Sequence, residues 1–195
     1  MTKRIAIIQG HPDPVGNHFL HALAAAYAEG AQAQGHAVRT LDVAQMAFPL
    51  LRTKEEYEQG PPPEAIVKAQ ETIAWAGHLV VFYPLWLGTM PALLKGFLEQ
   101  VLRPGFAYPP PQDAGMMKGL LKGRSARIVV TMGMPALIYR WYFGAHSLKS
   151  LERNVLKLCG VGPVRETLIG MVEAGDDAKR KAWLGKLRAL GQSGV

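Results

Sequence analysis

His78 to Leu102 reads HLVVFYPLWLGTMPALLKGFLEQVL, and this stretch decides the fold. Leu79 to Tyr83 is an unbroken apolar run with two valines and two aromatics, the pattern of a strand covered on both faces. Pro84 cannot donate to a sheet ladder and Gly88 tolerates positive φ, so the chain is expected to leave the sheet at Tyr83-Pro84 and turn through Leu85-Trp86-Leu87-Gly88. Thr89 is the predicted N-cap of the next helix, with Pro91 in its first turn. Leu93, Leu94, Phe97, Leu98, Val101 and Leu102 then recur at helical spacing. An uncharged aromatic loop at the carboxyl end of a buried parallel strand is where open α/β sheets take ligands. It suits a flat ring bonded at its edge by backbone N–H groups, such as the isoalloxazine of a flavin. The alternative is that Trp86 and Leu87 only pack the end of the sheet.

Upstream, Lys3 to Gln9 is a predicted strand, followed by a loop with two prolines, Gly10-His11-Pro12-Asp13-Pro14-Val15-Gly16-Asn17-His18-Phe19. Phe19, Leu20, Leu23 and Tyr27 open a helix with Asn17 as the capping candidate, ending near Gln34 at Gly35. First-turn amides lack intrahelical partners and the helix dipole favours negative charge, so this strand, loop and helix form an anion site. Neither a glycine-rich dinucleotide fingerprint nor a P-loop lysine is present, which favours the phosphate of a mononucleotide. His11 can add a donor there, or it is a surface histidine of the loop.

The remaining elements follow the same alternation. Ala37 to Val43 is the second strand, Ala44 to Pro63 an irregular surface excursion, and Glu64 to Ala76 a helix. His78 is expected at the amino end of its strand, where it is structural. Arg103 to Gly123 is a long loop rich in proline and glycine, including Pro111 and Gly115, and loops of that length are usually functional. Lys118, Lys122, Arg124 and Arg127 are a basic cluster, either solvated surface or a contact for dinucleotide phosphate. Ala126 to Met132 is the fourth strand, and Thr131-Met132-Gly133-Met134-Pro135 leaves its carboxyl end, with Gly133 allowing close backbone approach to a ring. Trp141 is read as a packing residue. Val164 to Ile169 is the last strand and Asp176 to Leu190 the closing helix, capped by Asp176. Strands alternating with helices predict an α/β fold, a doubly wound five-stranded parallel sheet of order 2-1-3-4-5.

The chain has 195 residues, 49% of them hydrophobic, which fits a single domain over 1–195. One cysteine, Cys159, excludes an intrachain disulfide and a cysteine-based metal cluster, in keeping with a cytoplasmic location; no metal is expected. The apolar run after Lys3-Arg4 is too short for a signal peptide, and Leu79 to Leu94 is broken by Pro84, Gly88 and Pro91, so no integral membrane segment is expected. The net charge is +7, but without a basic helix or an RNA-binding motif it does not point to nucleic acid. The same field favours anionic cofactors. A Ser-His-Asp or Cys-His set is missing, which argues against hydrolysis.

Tyr83 to Gly88, Met90-Pro91-Ala92-Leu93-Leu94-Lys95-Gly96-Phe97 and Gly105-Phe106-Ala107-Tyr108 resemble the NAD(P)H:quinone oxidoreductase family of the flavodoxin-like fold, and matching features recur near the amino terminus and around Thr131 to His146. The resemblance implies a ping-pong flavoenzyme that moves hydride from NADPH or NADH to flavin N5 and on to a quinone-like acceptor, with FAD as cofactor and FMN as the alternative. It implies flavin contacts at His11, Asn17, His18 and Phe19 for the phosphates, and at Pro84, Leu85, Trp86, Leu87, Gly88, Thr131, Met132, Gly133 and Tyr139 for the ring. Tyr139 and His146 are the implied catalytic donors beside the ring's pyrimidine edge, His146 lying one residue beyond the pattern. Tyr108 is implied to line the substrate pocket of the neighbouring subunit in a homodimer. Gly16 replaces a usual hydroxyl residue and Pro110 a second tyrosine. Similar chains also serve as flavin-binding ancillary subunits of glutathione-gated potassium efflux transporters, so such a regulatory role, with a transporter as peripheral partner, is the alternative.

Overall fold

The computed structural model describes residues 2–110, 118–174 and 176–195. Pro111 and Gly115 lie outside the described residues. In chain order the elements are β1 (Arg4–Gln9), α1 (Phe19–Ala33), β2 (Ala37–Asp42), α2 (Lys54–Glu58), α3 (Glu64–Trp75), β3 (His78–Pro84), α4 (Ala92–Val101), β4 (Ser125–Thr131), α5 (Ala136–Trp141), α6 (His146–Lys149), β5 (Val164–Ile169) and α7 (Asp177–Ser193). Helix α6 runs on into a π-helical stretch, Ser150–Lys157. All strands pair in parallel in the order β2-β1-β3-β4-β5, the expected doubly wound sheet.

Each central strand feeds two cores because successive side chains point to opposite faces. Ile5, Ile7, Val80, Phe82 and Val129 pack under α1 and α7, whereas Ala6, Ile8, Leu79, Val81, Ile128 and Val130 pack under α3, α4 and the helix from His146. On the first face two helix backbones meet through glycines. A Cβ at Gly30 would lie 2.0 Å from Arg188 O, and one at Gly191 would lie 2.0 Å from Tyr27 O.

Three expected local features differ. Thr89 caps nothing: Pro91 occupies the N-cap of α4, and Thr89 is instead bonded to Trp86. Asn17 is not the cap of α1 either, because His18 holds that position without a side-chain bond. The excursion after β2 is also more ordered than its composition implied. Asp42 Oδ1 accepts from Ala44 N at 3.2 Å to start a 3-10 turn, and Thr53 Oγ1 accepts from Glu56 N at 3.1 Å to cap α2. Asp176 does cap α7, its Oδ1 accepting from Lys179 N at 2.8 Å. His78 opens β3, buried, with Nδ1 2.8 Å from Ser125 Oγ.

The basic cluster is not a dinucleotide site. It sits at the amino end of β4, the opposite edge from Pro84 and Thr131, and its arginines are already engaged. Arg124 donates to Ile73 O and Ala74 O at the carboxyl end of α3, and buried Arg127 donates to Thr167 Oγ1 and Val195 O.

Candidate cofactor-binding site

At the carboxyl edge of the sheet the loops after β1, β3, β4 and β5 converge on a cleft of about 540 Å³, within the usual range for small-ligand sites. His11, His18, Phe19, Pro84, Trp86 and Thr131 line it, all of them residues that the sequence had singled out. The structure adds Asp13, Leu20, Val172, Glu173 and Arg180. Asp13 lay in the quoted loop, but Glu173 and Arg180 come from beyond β5 and from α7, and no local motif marked them.

The loop after β1 is bound to itself. A Cβ at Gly10 would meet Phe82 O at 2.8 Å, so only glycine passes this close to β3. Gln9 Oε1 accepts from His11 N at 3.2 Å, and His11 Nδ1 accepts from Asp13 N at 3.1 Å. An accepting Nδ1 leaves the His11 proton on Nε2, where it can be offered to a ligand. Asp13 Oδ1 accepts from Val15 N at 2.9 Å, and Oδ2 meets His18 Nε2 at 2.6 Å. The His11 and His18 rings stack with centroids 4.1 Å apart, and Trp86 stands edge-on to His11 at 6.1 Å. Burial, then the nearby His18 and His21, hold His11 down to about 4, with Asp13 opposing. The Val15 amide and His18 lower Asp13. Behind this pair His21, in the first turn of α1, has both ring nitrogens buried without a partner.

Trp86, in the wall of the cleft, opens a two-residue turn. Trp86 N and Thr89 O, and Thr89 N and Trp86 O, bond reciprocally at 2.9 Å. Leu87 and Gly88 between them have φ +47 and +79, the signature of a type I′ turn. Glycine is at home there, and leucine is not. Leu87 is fully exposed at the tip and Trp86 is 50% exposed. Gly133 faces Glu173, whose Oε1 would lie 3.7 Å from a Cβ built there.

A family model described as the flavodoxin-like fold matches residues 3–191. The chain belongs to the flavodoxin-like family. Among its relatives is a Haemophilus influenzae protein named as an uncharacterized NAD(P)H oxidoreductase, 32% identical over 182 residues that cover 91% of this chain and 89% of the relative. Human ribosyldihydronicotinamide dehydrogenase (quinone) is 28% identical over 152 residues, covering 72% of this chain and 63% of that longer protein. An FMN-dependent NADH:quinone oxidoreductase of Ruegeria pomeroyi is 33% identical over 70 residues, 36% of this chain and 34% of the relative. The structure of an NAD(P)H:quinone oxidoreductase from Methanothermobacter marburgensis superposes with a TM-score of 0.83 at 26% identity, covering 99% of this chain and 97% of that one. The motifs around Trp86 and Tyr108 thus led to the right family.

In this flavodoxin-like protein the other candidate residues lie outside the walls of the cleft. Asn17, Leu87 and Gly88 are exposed and Met132 is buried. Tyr139 is also buried; its hydroxyl lies 2.7 Å from Ser147 Oγ and accepts from Leu148 N at 3.2 Å. His146 is exposed at the start of α6, its Nε2 2.8 Å from where a Cβ of Gly144 would stand. Tyr108 lies in a different, mostly apolar cavity of about 170 Å³, beside α4 and Cys159, with its hydroxyl against that of Tyr57. Trp141 does not pack the interior: it is 80% exposed and forms, with Leu137, Tyr142 and Phe143, an apolar ridge on α5 and the turn after it. Among the described residues no group of His, Cys, Asp or Glu is arranged to hold a metal ion, and no helix is long and apolar enough to cross a membrane.

Proposed function

We propose that this protein is a flavin-dependent NAD(P)H:quinone oxidoreductase that binds the phosphate end of its cofactor between His11, His18 and Arg180 and the flavin ring at the rim formed by Trp86 and Gly133. The observation that carries this is the opening of the first turn of α1, uncapped by any side chain, onto a cleft that also holds His11, Arg180 and an aromatic turn. Those groups fit an anionic mononucleotide: the first-turn amides of Phe19 and Leu20 and a guanidinium for phosphate, an indole and glycine backbone for a flat ring. Between the two expected flavins, the relative named as FMN-dependent supports FMN, and nothing comparable supports FAD first.

Such a group, when bound, supplies two-electron transfer between NADPH or NADH and a quinone in two half-reactions. The chain's part is to bind, orient and stabilise charge. His146, exposed at the start of α6, is the proposed donor toward negative charge on the reduced ring. Tyr139, with its hydroxyl engaged by α6, holds that helix in place.

Tyr108 sits outside its own chain's cleft, and Leu137, Trp141, Tyr142 and Phe143 expose neighbouring apolar side chains of the kind that protein contacts cover. Both support a homodimer with active sites completed across the interface. The working unit proposed is one flavodoxin-like domain over 1–195, acting in the cytoplasm.

The test is to purify the protein, release and weigh its chromophore, and follow anaerobic bleaching by NADPH or NADH and recovery with a quinone. Retained FMN and turnover in both half-reactions are expected. Failure to take up any flavin after reconstitution overturns the proposal. Flavin binding without quinone turnover, together with a stable complex with a potassium efflux transporter, replaces it with the ancillary-subunit role.

A further inference from the structure

We propose that Asp13 and His18 form the proton-taking half of the phosphate clamp, so that a doubly charged phosphate monoester enters the cleft together with a proton held on His18. This rests on the flavin reading above and says which form of the cofactor the site selects.

The argument begins with charge. The ionised groups lining the cleft are Asp13 and Glu173, both negative, and Arg180, positive. With both histidines neutral the lining is therefore net negative by one, a poor host for a dianion. One added proton restores the balance. The histidines are not equivalent candidates for it. His11 Nδ1 is the acceptor for the Asp13 amide, so protonating that nitrogen forfeits a hydrogen bond in a buried setting. His11 is thereby held as a neutral Nε2–H donor, in line with its lowered proton affinity. His21 is enclosed with no acceptor for a new proton, and although Asp42 at the end of β2 opposes it, burial prevails. His18 is different. Its ring is 41% exposed, it lies at the mouth of α1, and its Nε2 already faces a carboxylate oxygen at 2.6 Å. A proton there is neutralised by Asp13 on one side and is free to face a phosphate through Nδ1 on the other. The second phosphate ionisation lies near pH 6, so a monoester such as FMN is largely a dianion at pH 7 to 8, whereas each phosphate of a diester carries a single charge.

The experiment is calorimetric titration of apoprotein with FMN and with riboflavin, in buffers of different ionisation enthalpy, between pH 7 and 8.5. FMN is expected to bind with net uptake approaching one proton, its affinity falling by up to about tenfold per pH unit once His18 must be protonated from solution. Riboflavin, lacking phosphate, should show neither effect. His18→Gln should abolish the uptake and flatten the pH dependence, and Asp13→Asn should move that dependence to lower pH. His18 makes no capping bond and its pairing with Asp13 is exposed, where such a pair contributes little to stability, so both variants are expected to melt close to the parent. FMN binding without proton uptake, equal uptake with riboflavin, or unchanged uptake in His18→Gln overturns the proposal and leaves the flavin reading standing. Binding of neither ligand removes both.

Discussion

The Tyr139 hydroxyl serves as the cap of a helix that its own segment does not contain: it accepts from Leu148 N at 3.2 Å, and Ser147 Oγ is 2.7 Å away. Ala145, the N-cap residue of α6, has φ +47 and no side chain able to accept. Tyr139, nine positions before Leu148, supplies what the cap lacks. Tyr139→Phe should therefore lower stability by about 1 kcal/mol, the usual cost of a lost cap, and should slow flavin reduction only insofar as His146 on the same helix is displaced. Chemical melts and stopped-flow reduction of one variant separate these effects. A large kinetic loss at parental stability would make Tyr139 a direct participant.

Leu87 carries backbone strain at the tip of the turn after β3. A non-glycine residue at positive φ costs on the order of 1–2 kcal/mol, and asparagine pays less than leucine. Leu87→Asn should leave stability unchanged or raise it by up to about 1 kcal/mol while weakening flavin retention or dimerisation, since the exposed leucine makes no contact that explains its presence. At Gly88 the space around an added Cβ is empty, so Gly88→Val acts through its φ of +79, distorting the turn by about 1–3 kcal/mol without filling the ring's place. Equal flavin affinity in both variants would show that the turn does not hold the ring.

His78 predicts an acid limit to stability. Burial first, then Lys3, Arg127 and Arg165, hold its imidazole down to about 4, and Nε2 has no partner. The unfolded chain takes up this proton near pH 6.5 and the folded chain does not, so stability is fullest above 6.5 and is lost as the pH falls toward 4. The loss attributable to His78 is about 3 kcal/mol at most. Urea midpoints of the parent and His78→Gln at pH 7.5 and 4.5 should differ in slope against pH, with the variant flatter. Parallel slopes would place the sensitivity elsewhere.

Gly191→Ala should be far more damaging than an exposed glycine replacement, because its Cβ would lie 2.0 Å from Tyr27 O and push α7 off α1. Overpacking of this kind costs about 1–3 kcal/mol or more. Arg180, carried on α7, should lose hold of phosphate as the helix shifts, so the apparent FMN dissociation constant should rise along with the fall in Tm. A fall in Tm with unchanged FMN binding would show that Arg180 does not contribute.

The Trp141 ridge gives a direct assay of assembly. Light scattering at micromolar concentration should report twice the chain mass for the parent and a shift toward monomer for Trp141→Ser, with thermal stability of the isolated chain little changed because the side chain is 80% exposed. A parental monomer would rule out composite sites.

The strands were legible because Ile5 to Ile8 and Leu79 to Tyr83 are apolar without interruption and Ala126 to Val130 is broken only by Arg127, the pattern of a sheet covered on both faces. Alternation of these runs with helical spacing then determined the sheet order, since right-handed crossovers leave few arrangements. The residues before the first helix and after the third strand were legible for the same local reason: proline and glycine at strand exits announce the ligand edge. Other features were settled only in three dimensions. Thr89 and Asn17 have the chemistry of caps, but the I′ turn and the start of α1 at His18 place them elsewhere. Trp141 looks like core by composition and lies outside, because nothing in α5 fixes which face meets the sheet. Tyr139 and Leu148 are partners through the fold of the intervening turn. Arg180 reaches the cleft because Gly30 and Gly191 let α7 settle against α1, a contact between distant backbones that leaves no periodic trace in either helix, and Glu173 because the turn after β5 is held beside the end of β4 by Val172 N donating to Met132 O. Local pattern determines what a segment becomes, and the close packing of segments far apart in sequence decides which side chains share the site.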